Sequence, residues 1–317
     1  MKIKKKLAIW HKYLVLYFAY LKKVNLKIPK KDKKTIIICF DGRFSHGGFV
    51  DRLKGIISFY EVAKQLNLNF KIHFVSPFDL NIYFKPNVTD WTINEKDIKY
   101  YLRNTKILYL NGRFDIDPIQ IVNSTQANYI YVYSNIDYLS KIYTKKSNDD
   151  LKKIWNNNFY SLFRFSEILK KSFNKLPNSN YNVFHTRFTS LMGDFIDSSI
   201  KTISELEKKD LINNLMEEIN LIIKDNANKK FYVLSDSVIF LDYIKKNTNL
   251  NVLEGKPKHL DFNKGDENID AHTKTITDFL FIAGADEIFL LKKGRMYNSA
   301  FSRYAAIVGN KKFHLIN

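Results

Sequence analysis

The sequence predicts an α/β protein made of two successive parallel-sheet units behind a basic helical N-terminus. Two observations carry this prediction. From Lys34 onward, short apolar runs rich in β-branched and aromatic residues alternate with stretches whose apolar residues recur at helical spacing. Such alternation implies parallel sheets with helices on their faces. The second observation is a break near the middle: a helical connector from about Asp149 to Leu176 runs into Pro177-Asn178-Ser179-Asn180, and the alternation then starts afresh. With 317 residues, 45% of them hydrophobic, the chain is long enough and apolar enough for two ordinary cores. The divisions expected are 1–33, 34–176 and 177–317.

Taken in order, the first stretch is distinct. Met1–Lys6 is basic, Leu7–Leu21 is largely apolar and aromatic, and Lys22–Lys34 is basic again. No small-residue cleavage site follows, and His11 and Lys12 interrupt the run of about 20 apolar residues that a membrane-spanning helix needs. Trp10, Tyr13, Tyr17 and Tyr20 suit either an interfacial helix with lysines on anionic headgroups or a helix packed on the protein's own surface. Thr35–Phe40 then reads as a strand, followed by a helix from Gly47-Gly48 to about Leu66. Phe70–Val75, Ile107–Leu110 and Tyr129–Tyr133 are further strands, with a short helix over Ile116–Ser124. The second series predicts strands at Val183–Arg187, Phe231–Leu234, Asn251–Leu253, Glu287–Leu291 and Lys312–Ile316. Helices are predicted at Ile203–Lys224, Val238–Lys246, Thr273–Ile282 and Ser299–Val308. No repeat of solenoid period is present.

The formal charge of +19 and a pI near 9.6 favour anionic partners. The basic residues are dispersed and no nucleic-acid-binding motif accompanies them, so no nucleic acid is expected. The single cysteine, Cys39, sits inside an apolar strand and reads as core; a disulfide within the chain is impossible, which fits a reducing, cytoplasmic compartment.

Four segments carry residues suited to chemistry. Asn182–Phe188 brings His185 and Arg187 to the end of a strand, where open α/β sheets bind ligands, and Gly193-Asp194 follows shortly. Arg187 offers a permanent charge and a planar fork of donors, which suits a phosphate. At Gly47-Gly48 a strand hands over to a helix, so backbone amides can approach a ligand, and Arg52 lies one turn on. Ser235-Asp236-Ser237 and Asn298-Ser299-Ala300-Phe301-Ser302 are both polar turns opening helices. Either can cap its helix or hold a diphosphate. The scattered histidines lack metal-ligand spacing. Asp115-Ile116-Asp117 formally resembles a cation-binding acidic pair, but Asp117 before Pro118 reads as a helix cap. No metal is expected.

Gly47–Gly55, His185-Thr186-Arg187 with Gly193-Asp194, Ser235-Asp236-Ser237 and Ser299-Ala300-Phe301-Ser302 stand in an order and spacing that resemble the fucosyltransferase superfamily. That superfamily has the GT-B fold and includes nodulation, core and protein O-fucosyltransferases with their bacterial relatives. The resemblance spans about residues 34–317 and implies two Rossmann-like domains facing a cleft, an acceptor lobe over 34–176 and a donor lobe over 177–317. It implies inverting, metal-independent transfer from a GDP-sugar, commonly GDP-fucose, to a glycan hydroxyl, with the GDP-sugar as substrate and no cofactor. By motif position, Arg187 would hold the β-phosphate and His185 would sit beside the nucleotide. Asp236 and Ser237 would contact the nucleotide, Ser299 and Ser302 would cradle phosphates, and the Gly47–Arg52 turn would close from the acceptor side. Two departures concern the sugar: many relatives have a second arginine where Phe188 stands, and Thr189–Met192 delay the Gly-Asp pair.

The acceptor hydroxyl needs a general base, for which Asp194, His46 and Asp51 are candidates. The expected setting is surface polysaccharide or glycolipid assembly, with residues 1–33 on the inner membrane face and an acceptor that can be lipid-linked. Two rivals stand beside this reading. One is a transferase of another GDP-sugar such as a heptose or 6-deoxy-heptose. The other is a non-catalytic, membrane-associated nucleotide- or glycan-binding protein.

Overall fold

The structure, a computed structural model, describes residues 2–26, 33–174, 176–177, 180–195, 201–255 and 269–317. Residues 178–179 of the predicted break and 27–32 of the basic N-terminal stretch lie outside these. The chain divides into two compact units, Met1–Phe165 and Ser166–Asn317.

In the first unit, helix α1 (Lys2–Leu21) precedes β1 (Thr35–Phe40), α2 (Phe49–Gln65) and β2 (Asn69–Phe74). Then come β3 (Phe84–Pro86), β4 (Thr105–Tyr109), α3 (Pro118–Asn123), β5 (Tyr129–Tyr133), the short α4 (Leu139–Ile142), α5 (Asn148–Leu162) and β6 (Phe163–Phe165). Four strands form an all-parallel sheet in the order β2-β1-β5-β4. Parallel strands covered on both faces read as continuous apolar runs, and Ile36–Phe40 is accordingly buried throughout. Helix α2 sits so close to the sheet that a Cβ on Gly55 would fall 2.0 Å from the Ser134 carbonyl oxygen, which explains a glycine within the helix.

The expected 149–176 connector is not one helical segment. Helix α5 ends at Leu162, and Phe163–Phe165 pairs antiparallel with Phe84–Pro86. Phe163 and Phe165 are drawn into that ladder by packing on Phe84, at ring separations of 5.1 and 6.2 Å. Ser166 then caps a new helix, α6 (Glu167–Phe173), which falls in the second unit.

The second unit continues with β7 (Tyr181–Thr186), α7 (Glu205–Asp225), β8 (Lys230–Ser235), α8 (Val238–Asn247) and β9 (Asn251–Val252). Helix α9 (Ile269–Gly284), β10 (Glu287–Leu291), α10 (Ala300–Gly309) and β11 (Lys312–Ile316) complete it. Its five strands are all parallel, in the order β11-β10-β7-β8-β9. A capping box starts α7: the Ser204 hydroxyl accepts from the Glu207 amide and the Glu207 carboxylate from the Ser204 amide. Phe184, Phe231 and Phe289 on three neighbouring strands stack within the core that α7 and α8 cover.

Candidate functional site

In the second sheet the chain runs outward one way through β7, β8 and β9, then resumes on the other side with β10 and β11. The order reverses between β7 and β10, and ligands of open α/β sheets bind beyond the carboxyl ends of the strands at such a switch point. β7 ends at Thr186, so Arg187 is the first residue past the sheet, in register just beyond the Thr186–Ser235 pair. The loop after β10 is tied to the same place, because the Tyr297 amide donates to the Arg187 carbonyl at 3.0 Å.

Arg187 is held in a defined pose. One terminal nitrogen of its guanidinium lies 3.3 Å from Asp236 Oδ2, and the guanidinium carbon lies 4.5 Å from the centre of the Phe195 ring. Its side chain keeps about a fifth of its surface exposed. Asp236 is buried, and its two oxygens accept from the amides of Phe188 and Thr189 at 2.8 and 2.7 Å. Burial pushes the Asp236 carboxyl above the usual carboxylate range, against the opposing pull of Arg187 and the two amides. Thr189 has φ +57°, an unfavourable angle for a β-branched residue, and its bond to Asp236 pins it there. The structure therefore engages Asp236 in holding Arg187 and its loop. The nucleotide contact suggested from motif position would have to share a carboxylate already in use.

His185 and Ser302, two residues of separate motifs, come together. His185 Nδ1 and Ser302 Oγ are 3.0 Å apart, which joins β7 to the first turn of α10. The ring lies 5.7 Å from Phe301 in stacked orientation, and Phe301 meets Phe279 edge-on at 5.4 Å. Burial first, and then the neighbouring Arg187 charge, push the His185 pKa down to about 3, so the imidazole is neutral at any ordinary pH. Ser299 caps α10 by accepting from the Phe301 amide at 3.2 Å. The start of α10 is thus tied to the end of β7, through Ser302 to His185 and through the Tyr297 amide to the Arg187 carbonyl, and it presents a positive dipole end there.

The other predicted phosphate cradle is occupied by the protein itself. The Ser237 hydroxyl accepts from the Phe240 amide and donates to Asp194, and Asp194 Oδ2 accepts from the Ile239 amide at 2.7 Å. Ser235 accepts from the Ser237 amide. Asp194 is thereby an internal anion at the start of α8. Asp194, expected as a candidate general base, and Ser235 and Ser237, expected at the diphosphate, thus take part in capping α8, a role in which a carboxylate meets amides that a phosphate could also meet.

The candidate residues of the first unit are also engaged by the protein. His46 is fully buried, edge-on to Phe40 at 5.1 Å and stacked with Tyr133 at 6.1 Å. Arg52 is also buried, donating to the Gly47 carbonyl and lying 5.6 Å from the centre of the Phe74 ring. It braces the turn where it was expected to offer its charge to a ligand. Gly47 has φ +80°, and a Cβ there would meet Asp51 Oδ2 at 2.6 Å. Gly48 is the cap residue of α2, its amide donating to Asp51, and the space beside its Cα is open. Asp51 also pairs with Lys54 and stays two-fifths exposed. Phe195, Tyr297 and Thr189 were missed in the sequence. Only the small delay between Arg187 and Gly193 marked the loop of Thr189 and Phe195 as unusual, and nothing marked Tyr297.

Asp117 caps α3 by accepting from the amides of Ile119 and Gln120, and Asp115 pairs with Arg113. Among the described residues, no three His, Cys, Asp or Glu side chains converge in a way that could hold a metal ion.

No protein-family model matches the sequence, and no curated protein matches it. Solved structures do. The α-1,6-fucosyltransferase NodZ co-crystallized with GDP superposes with a TM-score of 0.53 over 87% of this chain and 92% of that one, at 13% identity. NodZ soaked with GDP-fucose superposes with a TM-score of 0.53, at 13% identity over 87% of this chain and 93% of that one. NodZ from Bradyrhizobium gives a TM-score of 0.52 at 12% identity, over 87% of this chain and 93% of that one. The chain has the fold of NodZ. The GT-B class that the motifs implied is therefore its fold class, and two Rossmann-like units are what it shares with NodZ. Phe188, where the sequence resemblance led us to look for a second arginine, is fully buried here against Phe240 at 5.1 Å. That position belongs to the core and offers no second guanidinium.

Proposed function

We propose that this chain is an inverting, metal-independent glycosyltransferase that moves fucose from GDP-fucose to a glycan hydroxyl. The observation that carries the reading is the meeting of Arg187, His185 and the start of α10 at the switch point of the second sheet. The fold likeness to a fucosyltransferase crystallized with GDP and soaked with GDP-fucose supports it.

The acceptor oxygen attacks C1 of the sugar, the bond from C1 to the β-phosphate oxygen breaks, and the hydroxyl proton passes to a base. Negative charge gathers on the leaving diphosphate, where a fixed guanidinium and helix-start amides stabilise it without a cation. A neutral His185 can bond to the nucleotide without adding charge. The candidate bases are Asp194, His46 and Asp51, of which Asp51, at the start of α2, is two-fifths exposed. The buried Phe188 favours a second reading in which another GDP-sugar, such as a heptose, is the donor. In our reading the acceptor is a surface glycan or glycolipid precursor, and residues 1–33 rest on the anionic inner face of a membrane. No helix among the described residues is long and apolar enough to cross one.

The test is donor hydrolysis and transfer across a panel of GDP-sugars and UDP-, CDP- and ADP-sugars, with and without EDTA. Turnover of GDP-fucose in EDTA is expected. Turnover of GDP-heptose instead replaces the sugar, turnover of UDP-sugars alone redirects the donor, and no turnover or GDP binding favours a non-catalytic scaffold.

A further inference from the structure

Helix α1 has two adjoining apolar faces with different fates. The inner face is fully used: Leu16 and Tyr20 are buried in a core with Ile37, Cys39, Tyr131 and Tyr133, and the Tyr13 hydroxyl accepts from the Tyr109 amide at 3.1 Å. The outer face is not. Leu7, Trp10, Phe18 and Leu21 are 59, 62, 65 and 50% exposed, and with half-buried Leu14 they recur at steps of three, four, four and three residues, one continuous stripe. Leu26, just past the helix, is 84% exposed. An apolar stripe of this size left in water marks an interaction surface.

Its charge setting says what covers it. No Asp or Glu occurs before Asp32, while Lys2, Lys4, Lys5 and Lys6 precede the stripe and Lys22 and Lys23 follow it. His11 and Lys22, both exposed, fall by helical periodicity on its flank. Where α1 ends, a groove of about 620 Å³ opens between Val24 and Ile98, rimmed by Lys23, Lys96 and Lys99 with Glu95, which pairs with Lys23, as its one acid. A nucleic acid would use the lysines and have no use for the stripe. A bilayer interface with anionic headgroups uses both, and Trp and Lys are its characteristic side chains.

We propose that α1 lies flat in the headgroup region of a bilayer containing anionic phospholipid, with Leu7, Trp10, Phe18 and Leu21 inserted and the lysines on the headgroup phosphates. This deepens the membrane reading above by assigning the inserted face, and it is independent of which sugar is transferred.

Tryptophan fluorescence tests it directly, because the other two tryptophans, Trp91 and Trp155, are buried. The full chain is mixed with vesicles of phosphatidylcholine alone or with phosphatidylserine, and sedimentation and emission are read together. Expected are co-sedimentation and a blue shift with the anionic vesicles only, and loss of the shift in Trp10→Phe. The Phe18→Ser/Leu21→Ser variant should bind on the order of tenfold more weakly, or worse, with donor turnover unchanged. Anionic binding without a blue shift overturns insertion while leaving surface attachment standing. No binding overturns both. A blue shift that appears without lipid, together with a dimer mass, assigns the stripe to a second copy and overturns the proposal.

Discussion

Arg187 is both braced and part exposed: Asp236 and Phe195 set its pose, and about a fifth of its side-chain surface stays accessible. Electrostatic stabilisation of a leaving group depends on such preorganisation. Arg187→Ala is therefore expected to lower transfer by about 10²–10³-fold, with Asp236 still bonded to the loop amides and the fold retained. Transfer assays beside circular dichroism check both halves. Arg187→Lys should recover only part, since an ammonium cannot reproduce the planar fork. His185 makes a different prediction. Its pKa of about 3 when folded lies below the ordinary 6.5 of an unfolded chain. Between those pH values the unfolded state takes up a proton that the folded state refuses. The stability present above pH 6.5 is thus lost as pH falls toward 3, by up to about 1.4 kcal/mol per pH unit. Urea titrations across that range should show a shallower pH slope for His185→Asn than for the parent.

Helix starts were the most ambiguous elements. Ser237 and Ser299 open helices α8 and α10 in the same sequence style, yet the protein's own carboxylate, Asp194, fills the first and the second faces Arg187's loop. A cap and a catalytic base respond differently to substitution. Asp194→Asn and Ser237→Ala should each cost about 0.5–2 kcal/mol in chemical denaturation while transfer changes only a few-fold. A 10²–10⁴-fold loss of transfer for Asp194→Asn at unchanged stability would restore it as the base.

At the scale of the molecule, the two units provide separate reporters. In the proposed reading GDP binding would stabilise the native state by mass action, about 2.7 kcal/mol at a hundredfold excess over Kd, and the gain would fall in the second unit. A thermal shift with GDP that Arg187→Ala abolishes is the expected result. Cys39 reports on the first unit: it is fully buried, and burial pushes its thiol up to about 12. It should resist iodoacetamide until that unit unfolds, so alkylation under rising urea with and without GDP tells which unit the ligand holds.

Much of this architecture was already written in local pattern. Fifteen strand and helix positions after Lys34, nine strands and six helices, follow from apolar periodicity and turn residues, because burial on both faces of a parallel sheet demands unbroken apolar runs such as Thr35–Phe40 and Glu287–Leu291. The pairing of His185 with Ser302 was not legible in the sequence, since 117 residues separate them. What residues alone left open was decided by packing. Phe163–Phe165 became a strand because Phe84 lay across from it, and Arg52 and His46 turned inward because their neighbours had room for them. Whether a polar residue at a strand end meets a ligand or completes the protein's own hydrogen bonds depends on groups distant in sequence. Asp194 reaches the amide of Ile239 and Asp236 reaches back to that of Thr189, and only the folded chain brings those groups within reach.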